Sequence, residues 1–234
     1  MIKLEETDVF GWEATIRGMR NPMNSWDKSD TNTVDVPETP RLDYFGNVVE
    51  IIPAHERVVV NYREQAWNGI GENDLKLMKS LSKAGNDHGK FLRMINVTVD
   101  ITAPLYWWKE FDTYKVGTVA NSCSTMHKIS AKEFELDDFS HEHLFDGSDA
   151  VLWAVINQLN WMRTAYLETT DKRYWWQMIQ LLPSSYNQKR TVQLNYQVLK
   201  SMYFARRHHK LDEWHDFCAW CEGLPYFKEI CLNE

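Results

Sequence analysis

Residues 103–129, APLYWWKEFDTYKVGTVANSCSTMHKI, combine groups that could bind a small polar ligand. Lys109 and Lys115 add positive charge for a phosphate, and Tyr114, Trp107 or Trp108 could stack on a nucleobase. In a β-rich segment alternate side chains face one side, so an exposed hydrophilic face is the alternative interpretation. The spacing alone does not decide between a ligand site and an exposed face. Neutral side chains able to hydrogen-bond a base or a ribose fill five consecutive positions: Asn121, Ser122, Cys123, Ser124 and Thr125.

The four cysteines offer two further kinds of chemistry. Cys123 could act as a nucleophile, but no histidine partner is evident, and a small residue that tolerates a polar setting is the favoured interpretation. Cys218 and Cys221 form a single C-x-x-C, with His215 three residues earlier. A lone cysteine pair inside a helix is weak evidence for zinc, so we predict no metal site.

The elements that must position these residues follow from hydrophobic periodicity and capping signals. Helices are predicted over 12–20, over 73–84 with Asn73 as N-cap, and from Ser148 onward. Two more are predicted, one over 172–182 that stops at Pro183 and one from about Thr191 to Cys221. Alternation predicts a strand over 91–102. The apolar stripe of the helix that begins at Ser148 is predicted to be Val151, Val155, Leu159 and Met162.

Composition points to one domain over 1–234, with surface loops at 28–42 and 130–147. The chain is 44% hydrophobic and carries a net charge of -7, which disfavours DNA or RNA as a partner. No apolar run approaches the roughly 18 residues of a membrane helix, and the amino terminus lacks a signal-peptide pattern. We therefore expect a cytoplasmic protein with no membrane partner. The eleven tryptophans indicate rings in a pocket or a subunit interface.

The order of residues in 74–129 resembles the flavin-dependent thymidylate synthases, the ThyX family. Their signature follows a strand and an Ala-Pro step, here Ala103-Pro104, with R-H-R, seven residues, Ser, and an Arg two positions later. The R-H-R positions fall on residues 113–115 of this chain, Thr-Tyr-Lys. The same spacing places Asn121 on a family glutamate, Cys123 on the serine and Thr125 on the arginine.

Residues 148–230 are also similar to this family. Asn195 stands where the family has an asparagine that helps to hold the flavin, and Arg206 where it has an arginine that binds the nucleotide phosphate. Lys189 occupies another basic position of the family, while Gln197 and Ser201 replace an arginine and an asparagine.

The resemblance implies an α+β fold, with an antiparallel sheet flanked by a long helical layer, and assembly as a homotetramer. It also implies FAD as cofactor, with Asn195 and Gln197 at the cofactor site. Because neutral residues replace several guanidinium groups, we expect a protein that binds or sequesters a nucleotide or a nucleotide-derived signal and has lost thymidylate synthesis. The alternatives are a divergent flavin enzyme that methylates dUMP with folate and NADPH, and a structural oligomer.

Overall fold

The computed structural model describes residues 2–31, 39–42, 48–52 and 69–233. A four-stranded antiparallel sheet has the strand order β1-β4-β6-β5, and β2 and β3 form a separate antiparallel pair. The strands are β1 (Lys3–Phe10), β2 (Thr39–Leu42), β3 (Val48–Ile52), β4 (Asn96–Pro104), β5 (Val119–Ser122) and β6 (Asn187–Asn195). The α-helices are α1 (Trp12–Arg20), α2 (Glu72–Lys83), α3 (Leu105–Phe111), α4 (Thr125–Lys128), α5 (Ser148–Thr169), α6 (Lys172–Leu181), α7 (Tyr196–Arg206) and α8 (Asp212–Glu222).

Alternation along β4 and β6 gives the four-stranded sheet one apolar and one polar face. Val97 and Val99 of β4 are fully buried and lie opposite Leu194 and Val192 of β6. Thr98 and the other residues between them point to the second face, since successive side chains of a strand alternate. The apolar face shares one core with residues of α1, α2, α3, α7 and α8.

Helices α5 and α6 pack on each other over a second, smaller core. The buried residues of α5 are Leu152, Ile156, Leu159 and Met162, at the spacing of one helix face. Phe134 and Phe139, which precede α5, are buried in the same core. The fold class predicted from the sequence, an α+β protein with an antiparallel sheet and a helical layer, is confirmed.

Three local predictions are wrong. The segment after Pro104 is not a strand but helix α3, which places both Trp107 and Trp108 in the core. Residues 187–195 form strand β6, so the predicted helix from Thr191 to Cys221 is a strand followed by two helices. The predicted strand over 91–102 begins later, because 89–93 form a 3-10 helix.

Smaller differences concern helix ends and loops. Gly71 rather than Asn73 caps α2, and Val151 is 65% exposed, so it lies outside the buried stripe of α5. Residues 32–38 of the predicted loop 28–42 lie outside the described residues, and β2 occupies its end. The segment 130–147 is not wholly at the surface, since Phe134 and Phe139 are buried. Within the described ranges, none of the helices has both the length and the apolar character that crossing a membrane requires.

Candidate functional site

Helix α7 brings Arg206 against the segment that begins the predicted nucleotide site. Arg206 Nε donates a hydrogen bond to the Tyr114 hydroxyl at 3.0 Å, and Arg206 Nη1 pairs with Glu110 Oε2 at 2.7 Å. The guanidinium carbon lies 5.0 Å from the ring centroid of Trp214 and 5.5 Å from that of Tyr114. Both distances are in the range of cation–π contacts, so two rings and one carboxylate fix this arginine.

Glu110 also faces two other groups. Trp214 Nε1 donates to Oε2 at 3.3 Å, and His209 Nε2 lies 3.1 Å from the same oxygen. The other ring nitrogen, His209 Nδ1, accepts a hydrogen bond from the Leu211 backbone N–H. Nδ1 is therefore unprotonated, and the imidazole proton is on Nε2, which faces the carboxylate. We call Glu110, Tyr114, Arg206, His209 and Trp214 the Glu110 cluster.

The neutral hydrogen-bonding residues lie on the edge of the sheet. All four residues of β5, among them Asn121 and Ser122, are exposed, and Asn121 lies opposite Thr191 of β6. The backbone N–H of Cys123 donates to the Lys189 carbonyl at 2.9 Å, and the Cys123 thiol is exposed. These residues therefore present a narrow polar edge rather than an enclosed pocket.

Two residues of the predicted set begin helix α4. The Ser124 hydroxyl oxygen accepts the backbone N–H of His127, so Ser124 caps the helix, and Thr125 is its first residue. Both side chains are partly buried. The hydroxyl of Ser124 thus already has a structural hydrogen bond.

The three lysines of the predicted set differ in whether a carboxylate pairs with them. Lys189 Nζ lies 2.9 Å from Asp100 Oδ2, and Thr191 Oγ1 donates to Asp100 Oδ1 at 2.6 Å. The hydrogen bonds from Thr191 and Lys189 lower the pKa of Asp100, and Asp100 in turn raises the pKa of Lys189. Lys109 and Lys115 are exposed, and neither forms an ion pair with another residue of the described ranges.

The two residues predicted for the cofactor lie at the start of α7. Asn195 Oδ1 accepts the Val198 backbone N–H at 3.1 Å and so caps the helix. Gln197 Nε2 lies 3.5 Å from Asn86 Oδ1. Helix α7 has 11 residues, which places Asn195 about 16 Å along the helix from Arg206.

The chain from Tyr114 to Cys123 connects these groups. It passes from Arg206 at the end of α7 to Gly117, where an added side chain would meet Val198 and Asn195 at the start of that helix. It then follows β6 in the antiparallel direction. The structure thus brings Tyr114 and Arg206 together, and Cys123 and Lys189 together. The predicted residues as a whole are spread along α7 and β6 and do not converge on one pocket.

Three residues outside the predicted set contact Arg206 or its carboxylate partner. Glu110, His209 and Trp214 complete the Glu110 cluster, although Glu110 directly follows Lys109 and His209 belongs to the basic run after Arg206. Trp107 and Trp108 are 0% and 1% exposed, so neither can stack on a ligand. Both rings belong to the core, and the stacking role considered for them from the sequence is wrong.

The C-x-x-C pair lies in the core. Cys218 and Cys221 are buried on α8, and burial raises the pKa of Cys218 to about 11 and that of Cys221 well above its usual range. In the part of the chain that the structure describes, no group of three or more His, Cys, Asp or Glu side chains has the arrangement of a metal site. These thiols are core residues.

Comparison with known proteins identifies structural relatives only. No family profile matches the chain, and no curated protein matches its sequence. A crystal structure of thymidylate synthase X (ThyX) from Helicobacter pylori with FAD and dUMP is similar over 100% of both chains, with a TM-score of 0.63 and 15% identity. A second structure of the ThyX from this organism, also complexed with FAD and dUMP, is similar over 97% of both chains with the same TM-score and identity. The chain therefore has a ThyX-like fold.

Proposed function

We propose that this protein binds or sequesters a nucleotide or a nucleotide-derived signal and has lost thymidylate synthesis. The observation that carries the proposal is the contact between Tyr114 and Arg206, since it joins the two parts of the chain that resemble ThyX. The full-length similarity to structures of ThyX with FAD and dUMP supports the same class of ligand. Lys115 directly follows Tyr114 and supplies positive charge, and exposed Asn121 and Ser122 of β5 supply hydrogen-bonding groups farther along the same connection.

The losses in the signature argue against catalysis. Thr113, Gln197 and Thr125 stand where the resemblance implies guanidinium groups, and none can make the charged bidentate contact of a guanidinium with a phosphate. Loss of one contact to a transition state costs about 2.7–4 kcal/mol, or a factor of about 10² to 10³ in rate. Of the cationic groups that remain, Lys189 and Arg206 already face carboxylates. Several such losses together leave binding as the supported activity.

Two alternatives rest on specific observations. A divergent flavin enzyme, with Asn195 and Gln197 at an FAD site, is favoured by the FAD in the similar ThyX structures. A structural oligomer is favoured by the exposed apolar side chains of α5 and α6. The largest of these side chains are Trp153, Trp161, Leu167 and Trp176. The nucleotide-binding protein that we propose is also expected to assemble as a homotetramer.

A thermal-shift screen tests the proposal. We expect the purified protein to be colourless, and its melting temperature to rise with uridine or thymidine monophosphate. Flavin absorbance, or turnover of dUMP with FAD, NADPH and methylene-folate, would contradict the proposal and favour the enzyme. No shift with any nucleotide or flavin would favour the structural oligomer.

Substitution of Arg206 locates the binding site. Arg206→Lys keeps a positive charge opposite Glu110 but removes the planar guanidinium, and we expect it to weaken the nucleotide-dependent shift while the protein stays folded. Arg173→Lys is the matched control, because Arg173 pairs with Asp171 on an exposed surface at the start of α6. An unchanged shift in the Arg206 variant would refute the role of this arginine.

A further inference from the structure

Three side chains that can donate hydrogen bonds converge on one oxygen atom, Glu110 Oε2. Arg206 Nη1, His209 Nε2 and Trp214 Nε1 lie 2.7, 3.1 and 3.3 Å from it. They come from the end of α7, from the connection to α8, and from α8 itself. Convergent N–H groups of this kind form anion-binding sites in proteins. In this structure the anion is a carboxylate of the same chain.

We propose that Glu110 is an internal competitor for the phosphate of the ligand. The inference rests on the proposed function, in which the resemblance already implies Arg206 as the phosphate arginine. It goes beyond that function, because it adds His209 and Trp214 to the phosphate subsite and gives Glu110 control of its occupancy. A phosphate monoester binds there when the Glu110 side chain moves out. Affinity is thereby restricted to ligands whose phosphate outcompetes a carboxylate.

The three donors have supports that do not involve Glu110. The Tyr114 hydroxyl accepts from Arg206 Nε, and the guanidinium lies over the ring of Trp214. The Leu211 N–H orients the His209 ring, and Trp214 is fully buried. The donors therefore keep their positions when the carboxylate leaves, so the subsite is preorganised.

Glu110 itself is less constrained than its partners. Its side chain is 33% exposed, whereas that of Arg206 is 19% exposed. All three contacts go to Oε2, and no residue of the described ranges donates a hydrogen bond to Oε1. A phosphate has three terminal oxygens to share among the same donors and more negative charge, so it can replace the carboxylate with better pairing.

Titration calorimetry with inorganic phosphate and with uridine monophosphate tests the inference at fixed ionic strength. Glu110→Gln keeps the shape of the side chain and removes its charge, and we expect both ligands to bind about tenfold more tightly than to the unsubstituted protein. Glu110→Ala vacates the position and is expected to give at least the same gain. Asp212→Asn is the matched control, since it removes one exposed charge from the start of α8, where Asp212 faces histidines and not Arg206.

A double variant and the melting temperature complete the test. Adding Arg206→Lys to Glu110→Gln is expected to cancel the gain, and the melting temperature verifies that each variant is folded. Nucleotide binding by the unsubstituted protein with no gain in either Glu110 variant would overturn the competitor role and leave the proposed function standing. Failure of the unsubstituted protein and both Glu110 variants to bind any nucleotide would overturn both.

Discussion

Arg206 illustrates how the meaning of a residue depends on its contacts. By its position in the chain it resembles a phosphate-binding arginine, yet its guanidinium pairs with Glu110 and lies over Trp214. A partly buried ion pair of this kind contributes modestly to stability and mainly fixes geometry. The same contacts that orient Arg206 for a phosphate therefore also reduce its availability to one.

Asp74 is the residue for which the structure makes the sharpest stability prediction. Its carboxylate is fully buried and accepts hydrogen bonds from Arg20, Ser29 and Thr31, of which Arg20 is itself 4% exposed. Removal of one partner of a buried ion pair leaves the other charge uncompensated. We expect Asp74→Asn to lower the free energy of unfolding by about 3 kcal/mol at pH 7, measured by urea denaturation.

The same variant should show a characteristic pH dependence. Burial raises the pKa of Asp74, but hydrogen bonds from Thr31, Ser29 and Arg20 outweigh it, so the pKa lies below its usual 3.8. A lowered pKa in the folded state contributes stability above 3.8 that is lost as the pH falls through the folded value. The difference between the two proteins should therefore shrink at acidic pH. A loss below 1 kcal/mol at pH 7, or a gap that widens in acid, would contradict this account, and Asp27→Asn at the surface is the control.

At the scale of elements, the turn between α3 and β5 determines how the predicted site residues lie. Gly117 has a φ of 77°, and an added Cβ would lie 3.1 Å from Val198 and 3.2 Å from the Asn195 side chain. Gly117→Ala should therefore carry both backbone strain and a steric contact, and we expect it to lower stability by about 2 kcal/mol. Gly85, with a φ of 106° and no atom within 4 Å, separates the two causes. Gly85→Ala should cost only about 1 kcal/mol, and equal losses in thermal unfolding would show that the contact is unimportant.

The sequence predicts the long helices well and the short elements poorly, for identifiable reasons. Helix α5 has 22 residues, so its periodicity is evident even though the buried stripe begins at Leu152 rather than Val151. Helix α3 has seven residues, of which four are aromatic, and aromatic residues are enriched in strands. Trp107 and Phe111 pack against α8, and Trp108 packs on Arg190 of β6. These long-range contacts decide the conformation of α3 and are not visible in local sequence.

The candidate site is likewise predicted only in part from the sequence. The pairing of Tyr114 with Arg206 agrees with the order of residues, because both lie at positions that resemble one family. The sequence pattern does not place Glu110 and His209 in the site, because their contact depends on the end of α3 lying against the connection between α7 and α8. The helix predicted from Thr191 overlaps the end of strand β6, although Val192 and Leu194 alternate with exposed Thr191 and Gln193. Five residues of alternation next to a long helical pattern are too few to distinguish a strand from a helix.

At the scale of the whole molecule, α5 presents apolar side chains that the described part of the chain leaves exposed. Only Asp149, Arg163 and Glu168 are charged among its 22 residues, and Trp153 and Trp161 are 45% and 58% exposed. Large exposed apolar patches mark interaction sites. Trp176 of α6 is also 46% exposed and extends the surface. Self-association through α5 and α6 would bury these rings.

We therefore expect Trp161→Glu to weaken self-association. A charge at an interface centred on tryptophans removes a ring contact and must be desolvated, which raises the dissociation constant at least about a hundredfold. Sedimentation velocity across a range of protein concentrations measures the shift from oligomer to monomer. Met23→Glu is the matched control, because Met23 is 82% exposed after α1 and lies outside α5 and α6. A protein that sediments as a monomer before any substitution, or an oligomer that Trp161→Glu leaves intact, would place these rings outside a self-association interface.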